Sequence, residues 1–175
     1  MAGITPLVAL LTRDPVLDIE VPGYVDRDGP CPRFVPLART FYLRRRNDFV
    51  RCDVPPYEDY LTFSSVDRPE RPATLEEDEE FATTSYAQLF LDEDRPDFTV
   101  TRIRSVLREG EHPSDTVVRC VEFEFENALA LFADPGHFFG IRLQGRGAYD
   151  RWLAFAQAPD RPFGPLREVV WTPEA

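Results

Sequence analysis

The chain has 175 residues, of which 43% are hydrophobic and 13% aromatic, and it carries a formal net charge of −11. That length and apolar content suit one soluble domain with a real core, and they exclude a disordered chain. The acidic balance disfavours nucleic acid and anionic membranes as partners, because both present phosphates to a surface that repels them.

All twenty basic residues are Arg and no Lys occurs, a usage that a GC-rich bacterial genome produces. It excludes Schiff-base and lysine-nucleophile chemistry. The negative charge is concentrated: between Asp67 and Asp97, eleven acids stand against three Arg, a local net charge of −8. Cys31, Cys52 and Cys120 are odd in number and lack Cys-x-x-Cys spacing. They read as reduced thiols of a cytoplasmic protein, with no disulfide and no structural metal. Residues 7–11 are apolar, but no basic residue precedes them, and Pro6 and Pro15 bracket them too tightly for a signal segment. No apolar run approaches the ~18 residues of a membrane span.

In chain order, residues 5–12 predict a short helix with Thr5 as N-cap and Pro6 at its first position, where a missing N–H costs nothing. Residues 16–21 alternate, with Leu17, Ile19 and Val21 on one face and Asp18 and Glu20 on the other, as in a half-buried strand. The Gly, Asp and Pro content of residues 22–32 predicts an irregular loop. Residues 40–46 and 49–54 flank Asn47-Asp48 as a β-hairpin, and residues 60–66 supply the next strand. The triplet Asp-Arg-Pro at 67–69 ends that ladder, and it recurs at 94–96 and 160–162 as turn punctuation. Thr74-Leu75-Glu76-Glu77 matches a capping box, so a short helix is expected there, followed by a strand from about Thr84.

The clearest strands are residues 98–107 and 116–126, joined by a polar loop. In the second, Val121, Phe123 and Phe125 point to one face, while Glu122, Glu124 and Glu126 form a carboxylate row on the other. Residues 128–132 and 138–143 read as strands split by a turn at Asp134-Pro135-Gly136. Residues 148–158 show helical spacing, with Tyr149, Trp152, Leu153 and Ala156 on one stripe, and Pro159 stops them. Residues 166–172 supply a last strand. The expectation is an α+β fold of predominantly antiparallel sheet, with eight to ten strands and two or three short helices, in a single domain over residues 1–175.

Gly145-Arg146-Gly147, between a strand and a helix, has the opening of a dinucleotide fingerprint. Asp150 replaces the third glycine and would repel a pyrophosphate, so a simple turn is expected. His112 among Glu109, Glu111 and Asp115, and His137 after Asp134, have the carboxylate neighbours of a general base or metal ligand. No spacing resembles a metal motif, and no metal or cofactor is expected. Cys120 shares the Glu122 face, where carboxylates raise a thiol pKa and blunt it. Arg44, Arg45 and Arg46 alternate across a hairpin and so form no single patch for nucleic acid.

A dense acidic surface on a small β-rich domain suits steering and holding a basic protein partner, as an immunity protein or inhibitor covers a toxin or nuclease. Glu76, Glu77, Asp78, Glu79 and Glu80, with Glu122, Glu124 and Glu126, are the residues expected to make it. Two other readings rest on other features. The Pro-rich first third suits a structural subunit of a larger assembly, viral ones included, and the loop histidines would serve an enzyme. The plainer alternative is that the acids only form a solvated face.

Overall fold

A computed structural model of the chain describes residues 4–12, 14–92, 95–108, 117–158, 160, 163 and 165–173. Among them are eleven strands and three short helices, an α+β arrangement of mostly antiparallel sheet with one strand more than the expected range allowed. The first sheet is organised by β1 (Asp18–Asp26). One edge of β1 pairs with β6 (Glu80–Ser85), and the other pairs first with β3 (Thr40–Arg44) and then with β2 (Arg33–Pro36). From β3 the sheet continues through β4 (Phe49–Asp53) to β5 (Thr62–Val66), so the hairpin across Asn47-Asp48 forms as expected.

The loop expected at residues 22–32 is half strand, because β1 runs through Pro22 to Asp26. A strand residue points its N–H and C=O to the same side, and the Pro22 carbonyl accepts the Leu37 N–H at 2.8 Å. The donor that Pro22 lacks would therefore face the break between β2 and β3, where no ladder bond is lost. The Pro-rich first third is thus built into the protein's own sheet.

The second sheet is a meander of β7 (Val100–Arg108), β8 (Val117–Phe125), β9 (Ala130–His137) and β10 (Gly140–Gln144), with β11 (Leu166–Trp171) on the other edge of β7. The alternation in β8 sends Val121, Phe123 and Phe125 inward, and all three are buried. They join Ile103 and Leu131 of the same sheet and Ile19, Leu43 and Val50 of the first in one hydrophobic cluster. Fully burying each such side chain contributes about 1.5–3 kcal/mol. Short α1 (Thr5–Leu11) adds Leu7 and Leu11 to that cluster. Its N-cap is Ile4 rather than Thr5, with no side-chain cap, so packing rather than capping holds it.

Two expectations for the middle of the chain are overturned. No helix forms at Thr74. The segment makes two turns instead, and β6 is followed by the short α2 (Ala87–Phe90), the reverse of the expected order. Five consecutive acids repel one another, and the stretch offers no apolar stripe to pack, so propensity alone cannot sustain a helix. Asp134-Pro135-Gly136 is likewise no turn; it lies within β9, and the chain reverses at Phe138-Phe139. The β9–β10 register jumps there, and β9 pairs with β8 only as far as Ala133. Pro135 therefore sits where the ladder is already open.

Helix α3 (Ala148–Ala156) packs on the face of the second sheet opposite the main core. Ala148 and Tyr149 form a second cluster there with Val106, Cys120 and Phe132.

Candidate functional site

The acidic segment is folded tightly. Leu75 N–H donates to the Pro72 carbonyl and Glu79 N–H to the Glu76 carbonyl, both at 3.1 Å. The Glu79 carboxylate accepts the Glu76 N–H at 2.7 Å, a capping-box contact made one turn without a helix to follow. Arg71 clamps the second turn by donating to the carbonyls of Glu76 and Glu79. These bonds hold the segment beside the end of the β1–β6 pair. Together they bound a cleft of about 370 Å³ lined by Asp26, Asp28, Glu76, Asp78, Glu79 and Glu80, with Arg27 as its only base among the described residues.

Arg27 pairs with Glu80 at 2.6 Å and Arg33 with Asp26 at 2.7 Å. The Asp28 backbone N–H, and then Arg33, hold the Asp26 pKa below the usual carboxylate value. Glu76, Glu77 and Asp78 make no ion pair among the described residues and are exposed. The local charge is strongly negative and largely uncompensated.

The row in β8 behaves differently. Its alternation is as expected, but arginines stand against each of its carboxylates, and Glu122 is buried. Arg102 lies opposite Glu124 and Arg104 opposite Glu122 in the ladder, with ion pairs at 2.7 and 3.4 Å. Glu126 pairs with Arg95. Glu122 is only 4% exposed. Its burial raises its pKa, Arg104 opposes that, and the nearby Asp150 adds to it. All three carboxylates are thus engaged in ion pairs, Glu122 in the interior and Glu124 and Glu126 nearer the surface.

His112, with Glu109, Glu111 and Asp115, lies outside the described residues, and so does the His137 side chain, although its backbone ends β9. Asp134 is half-buried, and its carboxylate accepts the Gly136 N–H at 2.9 Å. Among the described residues no three His, Cys, Asp or Glu side chains are grouped to hold a metal, and no helix is long and apolar enough to cross a membrane. The three cysteines are free. Burial, and then Asp134, push the Cys120 thiol far above its ordinary pKa, which suppresses a thiolate. The arginine triplet divides as its alternation requires. Arg44 lies within 4 Å of Asp18 and Glu20, at 3.7 and 3.5 Å, while buried Arg45 bonds the Leu10 carbonyl and Asp48.

A second concavity went unread in the sequence. It lies between α3 and the second sheet and is lined by Arg119, Arg142 and Arg151 with Asp134, Trp152 and Phe163 among others. A faint signal exists: residues 138–151 hold three Arg against the single acid Asp150, the reverse of the chain's bias. What brings Arg119 to them is strand register, which no periodicity reports. Comparison of the chain with protein-family models, with curated proteins and with solved structures finds no match.

Proposed function

We propose that the protein is a small binding module of the immunity or inhibitor kind, holding a basic segment of a partner protein in the acidic cleft at the end of β1 and β6. The observation that carries this reading is the convergence of six carboxylates around one arginine, on turns fixed by backbone bonds. Such a field steers a cationic partner and raises its association rate. Glu122, Glu124 and Glu126 drop out of the recognition surface because arginines already occupy them. The three free thiols support a reducing, cytoplasmic setting for the encounter.

The test replaces Glu76, Glu77 and Asp78 together by Arg, since these side chains hold no ion pair that folding would miss. Affinity capture from the native organism is run in parallel with the wild-type chain and the triple variant, and each captured protein is then measured kinetically. A basic partner is expected to bind the wild type faster at low salt. Its rate should fall once the Debye length shrinks to about 8 Å at physiological ionic strength. The variant should lose association rate far more than it gains dissociation rate. A partner that binds the variant at the wild-type rate in low salt would place the interface elsewhere.

A further inference from the structure

The concavity beside α3 has the opposite chemistry to the acidic cleft. It encloses about 370 Å³, within the range of small-molecule pockets, and three guanidinium groups line it against one carboxylate. Arg142 and Arg151 are exposed and make no ion pair among the described residues. Arg119 is buried at 3% exposure, with its Nη1 2.9 Å from Asp59.

The position of Arg119 follows from a fault in the ladder. Val106 lies opposite Cys120 and Leu107 opposite Val118, so Arg119 is the extra residue of a bulge. Bulges re-aim side chains, and here the guanidinium is turned toward α3. The neighbouring irregularity in β9 makes room for it. A Cβ at Gly136 would meet Arg119 Nη2 and Asp134 Oδ1, each at 3.2 Å. Two faults in adjacent strands thus open one pocket and deliver a fixed cation to its floor.

The other wall is aromatic. Phe163 meets Trp152 in a tilted contact with ring centroids 5.9 Å apart and Phe155 edge-on at 6.1 Å, and the Arg119 guanidinium lies 5.9 Å from the Phe163 centroid. Guanidinium forks match carboxylate and phosphate oxygens bidentately, and flat apolar rings stack on Trp and Phe.

We propose that this pocket binds a small aromatic anion, a phosphomonoester or carboxylate carried on a planar ring. The anionic head lies among Arg119, Arg142 and Arg151, and the ring lies on Trp152 and Phe163. Half-buried Asp134 in the lining limits the head to one acidic group, because a polyphosphate would bring further charge against it. Nucleic acid is disfavoured by the chain's net charge of −11.

The experiment titrates the full chain calorimetrically, at constant ionic strength, with phenyl phosphate and with benzoate. Inorganic phosphate and phenol serve as half-ligands. At least one aromatic anion is expected to bind saturably, about tenfold more tightly than either half-ligand, and the better of the two identifies the head group. Arg142→Gln and Arg151→Gln, both at exposed positions, should each weaken it by about tenfold. Trp152→Leu should weaken the aromatic anion and leave inorganic phosphate unaffected. If neither aromatic anion outbinds inorganic phosphate, or if the Arg142→Gln, Arg151→Gln double variant binds like the wild type, the proposal is overturned.

Discussion

The guanidinium carbon of Arg104 in β7 lies 3.9 Å from the centroid of the Tyr149 ring in α3. The same side chain donates to Asp150 at 2.8 Å and approaches Glu122 and Glu168 at 3.4 Å, while the Tyr149 hydroxyl donates to Glu168 at 3.1 Å. One arginine therefore ties a helix to three strands, combining a cation–π contact with charge-assisted bonds. It also neutralises Glu122, whose burial would otherwise be costly.

Replacing Arg104 by Ala is expected to cost about 3 kcal/mol near pH 8, because it leaves buried Glu122 without its counter-ion. The deficit should shrink toward pH 5. Burial already raises the Glu122 pKa, and loss of Arg104, which lowers it, raises it further. A carboxyl with a raised folded-state pKa contributes stability below its unfolded value and loses it as pH rises through the folded one. The variant thus loses most at high pH. Urea melts at several pH values check this, and a deficit independent of pH would contradict it.

Phe123 tests the inward face of β8. It is fully buried and lies opposite Ile103 in the ladder. Phe123→Ala should cost about 3–5 kcal/mol in urea denaturation, through lost burial and the cavity left behind. A loss under about 1 kcal/mol would mean that this face does not form the core.

That face was legible because its signal is local. Val121, Phe123 and Phe125 alternate with acids, and period two is a property of one strand. The stripe of Tyr149, Trp152 and Leu153 was legible for the same reason. The exposure of Glu122 was not, because burial of that face depends on a helix that arrives some twenty-five residues later. Asp134-Pro135-Gly136 carries every local mark of a turn, yet it lies extended within β9, at an irregularity of the β9–β10 register. The arginine pocket was hidden by a second fault, the bulge at Arg119 in β8: Arg119 and Arg142 share a site only once the register is known.

Asp59 holds Arg119 from behind, and it also pairs with Arg108 at 3.3 Å. Burial works against its carboxylate, but the Arg119 bond and the charges of Arg119 and Arg108 outweigh this and hold its pKa below the ordinary value. The stabilisation is present above the unfolded pKa of ~3.9 and is lost as pH falls through the folded one. Because the Asp59 side chain is 48% exposed, screening reduces the effect. Asp59→Asn should therefore cost only about 1–2 kcal/mol at neutral pH. Its acid unfolding limb should be shallower than that of the wild type, and an identical limb would show that the pair carries no such linkage.

Ile141 N–H of β10 donates to the Ala38 carbonyl, in the bend between β2 and β3, so the two sheets meet through backbone at that seam. Gly140 precedes this contact with φ +118°, a conformation that costs other residues about 1–3 kcal/mol. A Cβ there would also overlap the Ala38 carbonyl itself, which is backbone and cannot rotate away. Gly140→Ala should accordingly destabilise by more than the strain alone, about 3 kcal/mol or above, by parting the seam. Gly145 supplies the control. An added Cβ would meet nothing within 4 Å there, and the residue is exposed. Gly145→Ala should be neutral or stabilise by about 0.4–1 kcal/mol through the unfolded state. Thermal melts of the two variants side by side make the comparison internal. Equal losses at both positions would mean that the seam does not bring Gly140 against Ala38 in solution.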